Sequence, residues 1–231
     1  MISAHPTPTA SQLLNPAQTA ERLPYPKLLE ELVSLLQDRD VQVPPRLVLA
    51  LAGGGSLFVM PAFDARTAIT KLITFTPANA GSSRATIQGD VVVFDVPSGE
   101  RRLILDGPTI TARRTAAVSV LAAQRLAPCK QGPVLIVGAG VQGKSHLEAF
   151  AEGMGITEFF IASRSASSAE RLVAHAQAMG LKARLVQDAN AALAECPMAV
   201  TCTPASAVVL STLPRPDGFI AAVGAFTPEM V

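Results

Sequence analysis

The chain has 231 residues, 49% of them hydrophobic and 16% charged, with a net charge of +1. That is enough apolar material for a sizeable core in one large or two small domains, and the charge balance gives no reason to expect nucleic acid or an acidic membrane surface as partner. No apolar run is long enough to span a bilayer, no secretory leader is visible, and Cys129, Cys196 and Cys202 show no metal-ligand spacing. Reduced thiols and a cytoplasmic location are the simplest expectation.

In chain order, residues 1–18 read as a polar lead-in. Pro26 opens a helix over 27–39 whose Leu28, Leu32, Leu35 and Leu36 share one face, and Pro44 and Pro45 end it. Strands follow at 46–52, 57–63, 68–74, 90–95 and 102–105, with turn signals at 53–55, 80–83 and 97–99. Strands in succession without intervening helices predict a mostly antiparallel sheet. Residues 111–126 are Ala-rich and helical, and 128–132 form a linker.

From Pro133 the rhythm changes. Strands at 133–138, 157–162, 183–186, 198–202 and 218–223 alternate with helices at about 142–153, 167–179 and 189–194. That pattern predicts a parallel sheet with right-handed crossovers. The sequence therefore divides into an N-terminal α+β domain, 1–127, and a C-terminal Rossmann-type α/β domain, 128–231. The chain stops just past its fifth parallel strand, where a doubly wound sheet commonly adds a sixth, so a fragment of a longer protein is expected.

The most informative stretch is PVLIVGAGVQG, an apolar run that turns at once into Gly138-x-Gly140-x-x-Gly143. Gly138 permits a tight turn, Gly140 permits bare backbone to approach a pyrophosphate, and Gly143 lets the next helix pack closely. Residues Gly138, Ala139, Gly140, Val141, Gln142 and Gly143 are thus candidate cofactor contacts. The second parallel strand ends in Ser163-Arg164-Ser165, with no acidic residue to bind a ribose 2′-hydroxyl. An arginine between two hydroxyls suits a 2′-phosphate, so NADP(H) is expected over NAD(H), which remains possible. Thr203 and Gly224, after the fourth and fifth parallel strands, complete the candidate cofactor set. A threonine there is also a good helix cap.

Several stretches together resemble the ornithine cyclodeaminase/mu-crystallin family: PPRLVLALAGG, KLITFTPANA, ILDGPTITARRTAAVSVLAA, GAGVQGKSHLEAF and VGAFTPEM. The resemblance runs from about Pro44 to the last residue. It implies a homodimeric protein with a substrate domain and a nucleotide domain, acting on small α-amino or α-imino acids. By motif, Arg46, Lys71, Thr86 and Arg114 hold the substrate carboxylate, and Arg114 and Thr115 also lie near the nicotinamide. Lys71 stands in an otherwise apolar strand, where a charge must be paired, exposed or functional. Arg113 and Arg114 are adjacent on a helix and point in different directions, so at most one reaches the site.

The cyclodeaminase members carry an acid/base aspartate where this chain has Phe226, which cannot transfer a proton. Deamination is therefore disfavoured. The resemblance is strongest to the bacterial reductases of Δ1-pyrroline-2-carboxylate and Δ1-piperideine-2-carboxylate, which implies hydride transfer to a cyclic imino acid. Lys71 or a bound water would supply the proton. The alternatives are an alanine-dehydrogenase-like or cyclodeaminase-type amino-acid enzyme, or a mu-crystallin-like NADPH-binding protein. His146 is read as a structural hydrogen bonder, and His5 and His175 as surface residues.

Overall fold

The structure, a computed structural model, describes residues 12–203 and 208–224. The described chain forms β1 (Gln12–Leu13), α1 (Pro16–Glu21), α2 (Tyr25–Gln37), β2 (Leu47–Leu51), β3 (Gly55–Phe63), β4 (Thr67–Phe75), β5 (Ile87–Asp95), β6 (Arg101–Asp106) and α3 (Gly107–Leu126). It continues with β7 (Val134–Val137), α4 (Val141–Met154), β8 (Glu158–Ala162), α5 (Ala166–Ala178), β9 (Lys182–Leu185), α6 (Ala189–Glu195), β10 (Met198–Thr201) and β11 (Phe219–Ala222). Two compact units result: Met1–Pro24 with Glu31–Thr111, and Tyr25–Glu30 with Ala112–Val231. The division falls inside α3 and sends the first six residues of α2, Tyr25–Glu30, to the second unit.

The first unit is built on a six-stranded sheet in the order β1-β6-β5-β4-β3-β2. β2 to β6 form the expected antiparallel meander, and β1 adds a parallel edge through Gln12↔Leu103 and Leu13↔Ile104. The lead-in is thus not featureless. Asn15 caps α1 by accepting from the Gln18 amide while the Gln18 side chain accepts from the Asn15 amide, a reciprocal capping box. Two other boundaries differ from expectation. α2 ends at Gln37, well before the double proline, because the Asp38 carboxylate bonds the Asp40 amide and turns the chain. α3 starts at Gly107 rather than 111, because the Asp106 carboxylate caps it by accepting from the Thr109 amide at 2.8 Å.

The second unit carries a five-stranded, wholly parallel sheet in the order β9-β8-β7-β10-β11. Numbered from β7, this is 3-2-1-4-5, the order of a doubly wound sheet whose direction reverses between β7 and β10. β7 and β10 are buried along their whole length, which is why they read as apolar runs, VLIV and MAV, the second closed by the buried Thr201. On one face Leu135, Val137, Phe160 and Ala162 pack with Ala192, Leu193 and Cys196 of the α6 region. On the other, Ile136 faces Gly143 of α4. α3 contributes Ala116, Ala117, Val120 and Ala123, all fully buried. The start of α2 is held here by Tyr25, whose hydroxyl donates to the Ser145 carbonyl at 2.9 Å, and by Leu29, which lies against Gly153.

Candidate functional site

The carboxyl ends of β7 and β10 flank the point where strand order reverses, which is where doubly wound sheets bind ligands. After Val137 the chain enters Gly138 at φ +111°, a conformation L side chains avoid, and a Cβ there would meet the Cys202 backbone at 2.9 Å. Gly143 is required by packing, since its Cβ would sit 1.9 Å from the Gly138 carbonyl oxygen. Gly140 is different: a Cβ there meets nothing within 4 Å. Gly140 is also the N-cap of α4 and offers no side-chain cap, and the helix ladder starts with the Lys144 amide on the Gly140 carbonyl at 3.0 Å. The first-turn amides of Val141, Gln142 and Gly143 precede that bond, at the positive end of the helix dipole.

Two buried polar atoms in the described structure have no hydrogen-bond partner, Gln142 Oε1 and Thr203 Oγ1. Gln142 stands on the first turn of α4, and the Thr203 methyl lies 3.1 Å from where a Gly138 Cβ would be. A buried acceptor and a buried hydroxyl left open beside an uncapped helix start fit a ligand that brings both phosphate and sugar hydroxyls. Ala139 lies between the turn glycines, half-buried, and Gly224 follows β11, with its amide on the Thr201 carbonyl at 2.9 Å.

At the end of β8, Arg164 is exposed and Ser163 half-buried. Ser163 Oγ accepts from the Ser165 amide, and Ser165 caps α5 by accepting from the Ser168 amide at 3.3 Å. The Ser165 hydroxyl therefore has a structural task in addition to any ligand role. Thr115 sits half-buried on α3.

His146 is fully buried between α3 and α4. Its Nδ1 lies 2.7 Å from the Gln142 carbonyl, which can only accept, so Nδ1 carries the proton. Nε2, 3.0 Å from Ser119 Oγ, then accepts from that hydroxyl. Desolvation lowers the His146 pKa below its usual 6.5, opposed by the hydrogen bond to Gln142. The unfolded chain thus binds more protons here than the folded one once pH drops below about 6.5. Stability is accordingly expected to fall as pH decreases from 7 toward 5. A His146→Gln variant, lower in stability overall, should show a shallower dependence in urea titrations across that range; equal slopes would remove His146 as the cause. Burial also pushes the neighbouring Cys202 thiol up to about 12, keeping it protonated.

The arginine pair separates as the helix geometry requires. Arg113 stacks over the Tyr25 ring at 3.9 Å and pairs with Glu148 at 3.6 Å. Arg114 is exposed. Glu148 also receives His175 Nε2 at 2.9 Å and Lys144 at 3.8 Å. His175, expected at the surface, is thus half-buried in an inter-helix network. His5, Pro204 and Phe226 lie outside the described residues.

In the first unit, Lys71 sits at the middle of β4, paired with Met60 on one side and Val91 on the other. Its Nζ donates to Thr111 Oγ1 at 2.6 Å, and Thr111 donates in turn to the Gly107 carbonyl at 2.8 Å. Arg46 is exposed one residue before the Leu47↔Val59 pair, hence level with Met60 and in the same cross-strand row as Lys71. Two strand spacings separate the two backbones, roughly 10 Å, within reach of two long side chains sharing one anion. Thr86 is half-buried just before β5, its carbonyl bonded to the Thr76 amide at 2.8 Å. That is five residues along from Lys71's row, roughly 17 Å at strand rise, so the backbone does not bring Thr86 beside Lys71. Neither Thr111 nor Ser119 carried any signal in the single sequence that could have marked it as a partner of Lys71 or His146.

Strand order and glycine turn together define a doubly wound α/β protein of the Rossmann type, joined to an α+β unit. A family model described as the ornithine cyclodeaminase/mu-crystallin family matches residues 21–230, and the chain belongs to that family. The chain is 36% identical over 221 residues to a protein named Δ1-pyrroline-2-carboxylate reductase 1 from Burkholderia multivorans, covering 92% of this chain and 69% of that one. It is 35% identical over 217 residues, with the same coverage, to one named Δ1-pyrroline-2-carboxylate/Δ1-piperideine-2-carboxylate reductase from Azospirillum brasilense. Among solved structures it is similar to an archaeal alanine dehydrogenase dimer with bound NAD, at TM-score 0.79 and 26% identity, covering 93% of this chain and 67% of the other. Among the described residues no helix is long and apolar enough to cross a membrane.

Proposed function

We propose that the protein is an oxidoreductase that uses a nicotinamide dinucleotide to reduce the C=N bond of a cyclic imino acid, Δ1-pyrroline-2-carboxylate or Δ1-piperideine-2-carboxylate, to L-proline or L-pipecolate. The observation that carries this reading is the likeness, at 35–36% identity over most of the chain, to proteins named for that reaction. The main-chain turn 138–143, Gln142, Thr203 and Gly224 hold the dinucleotide. When bound in its reduced form, it supplies a hydride to the imine carbon. Arg46, Lys71 and Arg114 bind the substrate carboxylate, with Arg114 and Thr115 also toward the nicotinamide end; Thr86, five residues along from Lys71's row, is too far for the same carboxylate. A cation near the ring keeps the acid oriented, and Lys71 or a water it holds delivers a proton to the imine nitrogen, without which the carbon is a poor hydride acceptor.

NADP(H) is the preferred cofactor in this reading, on the strength of Arg164 between Ser163 and Ser165 and the lack of an acidic residue there. Arg164→Ala is expected to raise KM for NADPH about tenfold and leave KM for NADH within twofold, as loss of a guanidinium–phosphate pair requires. Equal changes for both cofactors would count against a 2′-phosphate contact. Leu47, Leu49, Leu51 and Leu72 leave an exposed apolar stretch on the first unit's sheet, and this supports a homodimer.

The test is NADPH oxidation with each cyclic imine, run beside pyruvate plus ammonia. The likeness to alanine dehydrogenase supports the open-chain keto acid as the second reading. Turnover of the cyclic imines at least a hundredfold more efficient than that of pyruvate is the expected result; the reverse ratio would transfer the assignment to an alanine dehydrogenase.

A further inference from the structure

We propose that Thr111 is a positioning residue, which fixes the Lys71 ammonium in the pose that receives the substrate's carboxylate; this rests on the reading of Lys71 as a substrate contact. An isolated lysine is a flexible point charge on a four-carbon stem. Here Nζ donates to Thr111 Oγ1 at 2.6 Å, the short distance of a charge-assisted bond. The acceptor is itself immobilised. Thr111 is β-branched, lies on α3, and commits its own proton to the Gly107 carbonyl one turn back at 2.8 Å.

With that proton spent, the hydroxyl oxygen presents only lone pairs to the ammonium. The direction of one of the three Nζ–H bonds is therefore set by the helix. Gly107 in turn is seated on the sheet, since a Cβ there would touch the Gly89 carbonyl at 2.6 Å and Ile73 at 2.8 Å. The chain of constraint runs from sheet to helix start to hydroxyl to ammonium, and it ends on the strand that carries Lys71.

The experiment compares Thr111→Val, Thr111→Ser, Lys71→Ala and the Lys71→Ala/Thr111→Val double variant of the whole chain. One readout needs no substrate: the rate at which formaldehyde and borohydride methylate Lys71, followed by peptide mass spectrometry. A hydroxyl accepting from the ammonium favours the charged form, so its loss leaves more reactive free amine. Thr111→Val should methylate at least threefold faster than wild type, and Thr111→Ser at the wild-type rate. The second readout is steady-state kinetics with Δ1-pyrroline-2-carboxylate. Thr111→Val should raise KM about tenfold with kcat changed less, Thr111→Ser should restore it, and the valine should add nothing in the Lys71→Ala background.

Unchanged methylation in Thr111→Val overturns the inference. So does a KM effect of the same size with and without Lys71. If Lys71→Ala itself leaves kinetics unchanged while methylation responds to Thr111, the contact exists but the reading of Lys71 as a substrate residue fails, and the inference falls with it for that distinct reason.

Discussion

Replacing Lys71 by alanine is expected to lower kcat/KM for Δ1-pyrroline-2-carboxylate about a hundredfold, roughly 3 kcal/mol, and to leave the rise in melting temperature expected with NADPH equal to that of the wild type. The magnitude follows from removing one member of a hydrogen-bonded charge pair and leaving the carboxylate short of a partner. The site of the substitution makes the result interpretable. Lys71 lies on a central strand whose neighbours, Met60 and Val91, are apolar, so alanine removes a charge without placing a new polar group among them. Its ammonium donates to a hydroxyl on α3, which alanine leaves in place and still bonded to the Gly107 carbonyl. Lys71→Arg should recover only part of the loss, because a planar guanidinium cannot take the place of an ammonium aimed by one fixed acceptor. Wild-type kinetics in Lys71→Ala would remove Lys71 from the site and leave Arg46 and Arg114 as its cations. Thr86→Ala should be the milder change, since Thr86 stands well along the strand from Lys71's row.

How much of this was legible in advance depended on whether local chemistry or distant partners decided each feature. The parallel unit was legible because its central strands are buried on both faces and read as apolar runs, VLIV, FFIA and MAV, the first two followed at once by Gly138 and Ser163. Their ends fall within a residue or two of expectation. β1 could not be read, since two residues acquire strand geometry only by pairing with Leu103 and Ile104 some ninety positions away. The capping box at Asn15 and Gln18 was readable in principle, as was the Asp106-Gly-Pro start of α3; both are short-range signals that were outweighed by neighbouring polar or strand-like residues. At the candidate site the glycines at 138 and 143 were legible because each answers a demand of the backbone or its packing, whereas Gly140 answers none within the chain. The choice between Arg113 and Arg114 needed the family motif, and the structure supplies its physical side: Arg113 is occupied by Tyr25 and Glu148. The partners of Lys71 and His146 were not legible, for Thr111 and Ser119 lie 40 and 27 residues away and have nothing unusual about them locally.

A substitution at Gly140 should separate folding from nucleotide binding more cleanly than any other in the turn. Gly140 has φ −87° and ψ −163°, extended backbone that any residue adopts, and a Cβ there meets no atom of the chain within 4 Å. Gly140→Ala should therefore leave the melting temperature of the free protein unchanged or raise it by about 2 °C, through reduced freedom of the unfolded chain. The same methyl group would project where bare backbone has to meet a pyrophosphate. Affinity for NADPH is expected to fall at least about a hundredfold, and the NADPH-induced rise in melting temperature, which scales with the logarithm of ligand over Kd, should largely vanish. Gly143→Ala provides the contrast. Its Cβ would lie 1.9 Å from the Gly138 carbonyl oxygen, so the helix start must move, and the free protein should melt lower as well. Calorimetry of both variants with and without NADPH distinguishes the two effects. An alanine at position 140 that keeps the full NADPH shift would mean that no phosphate rests on this turn, and the reading of the whole second unit as a dinucleotide site would fail with it.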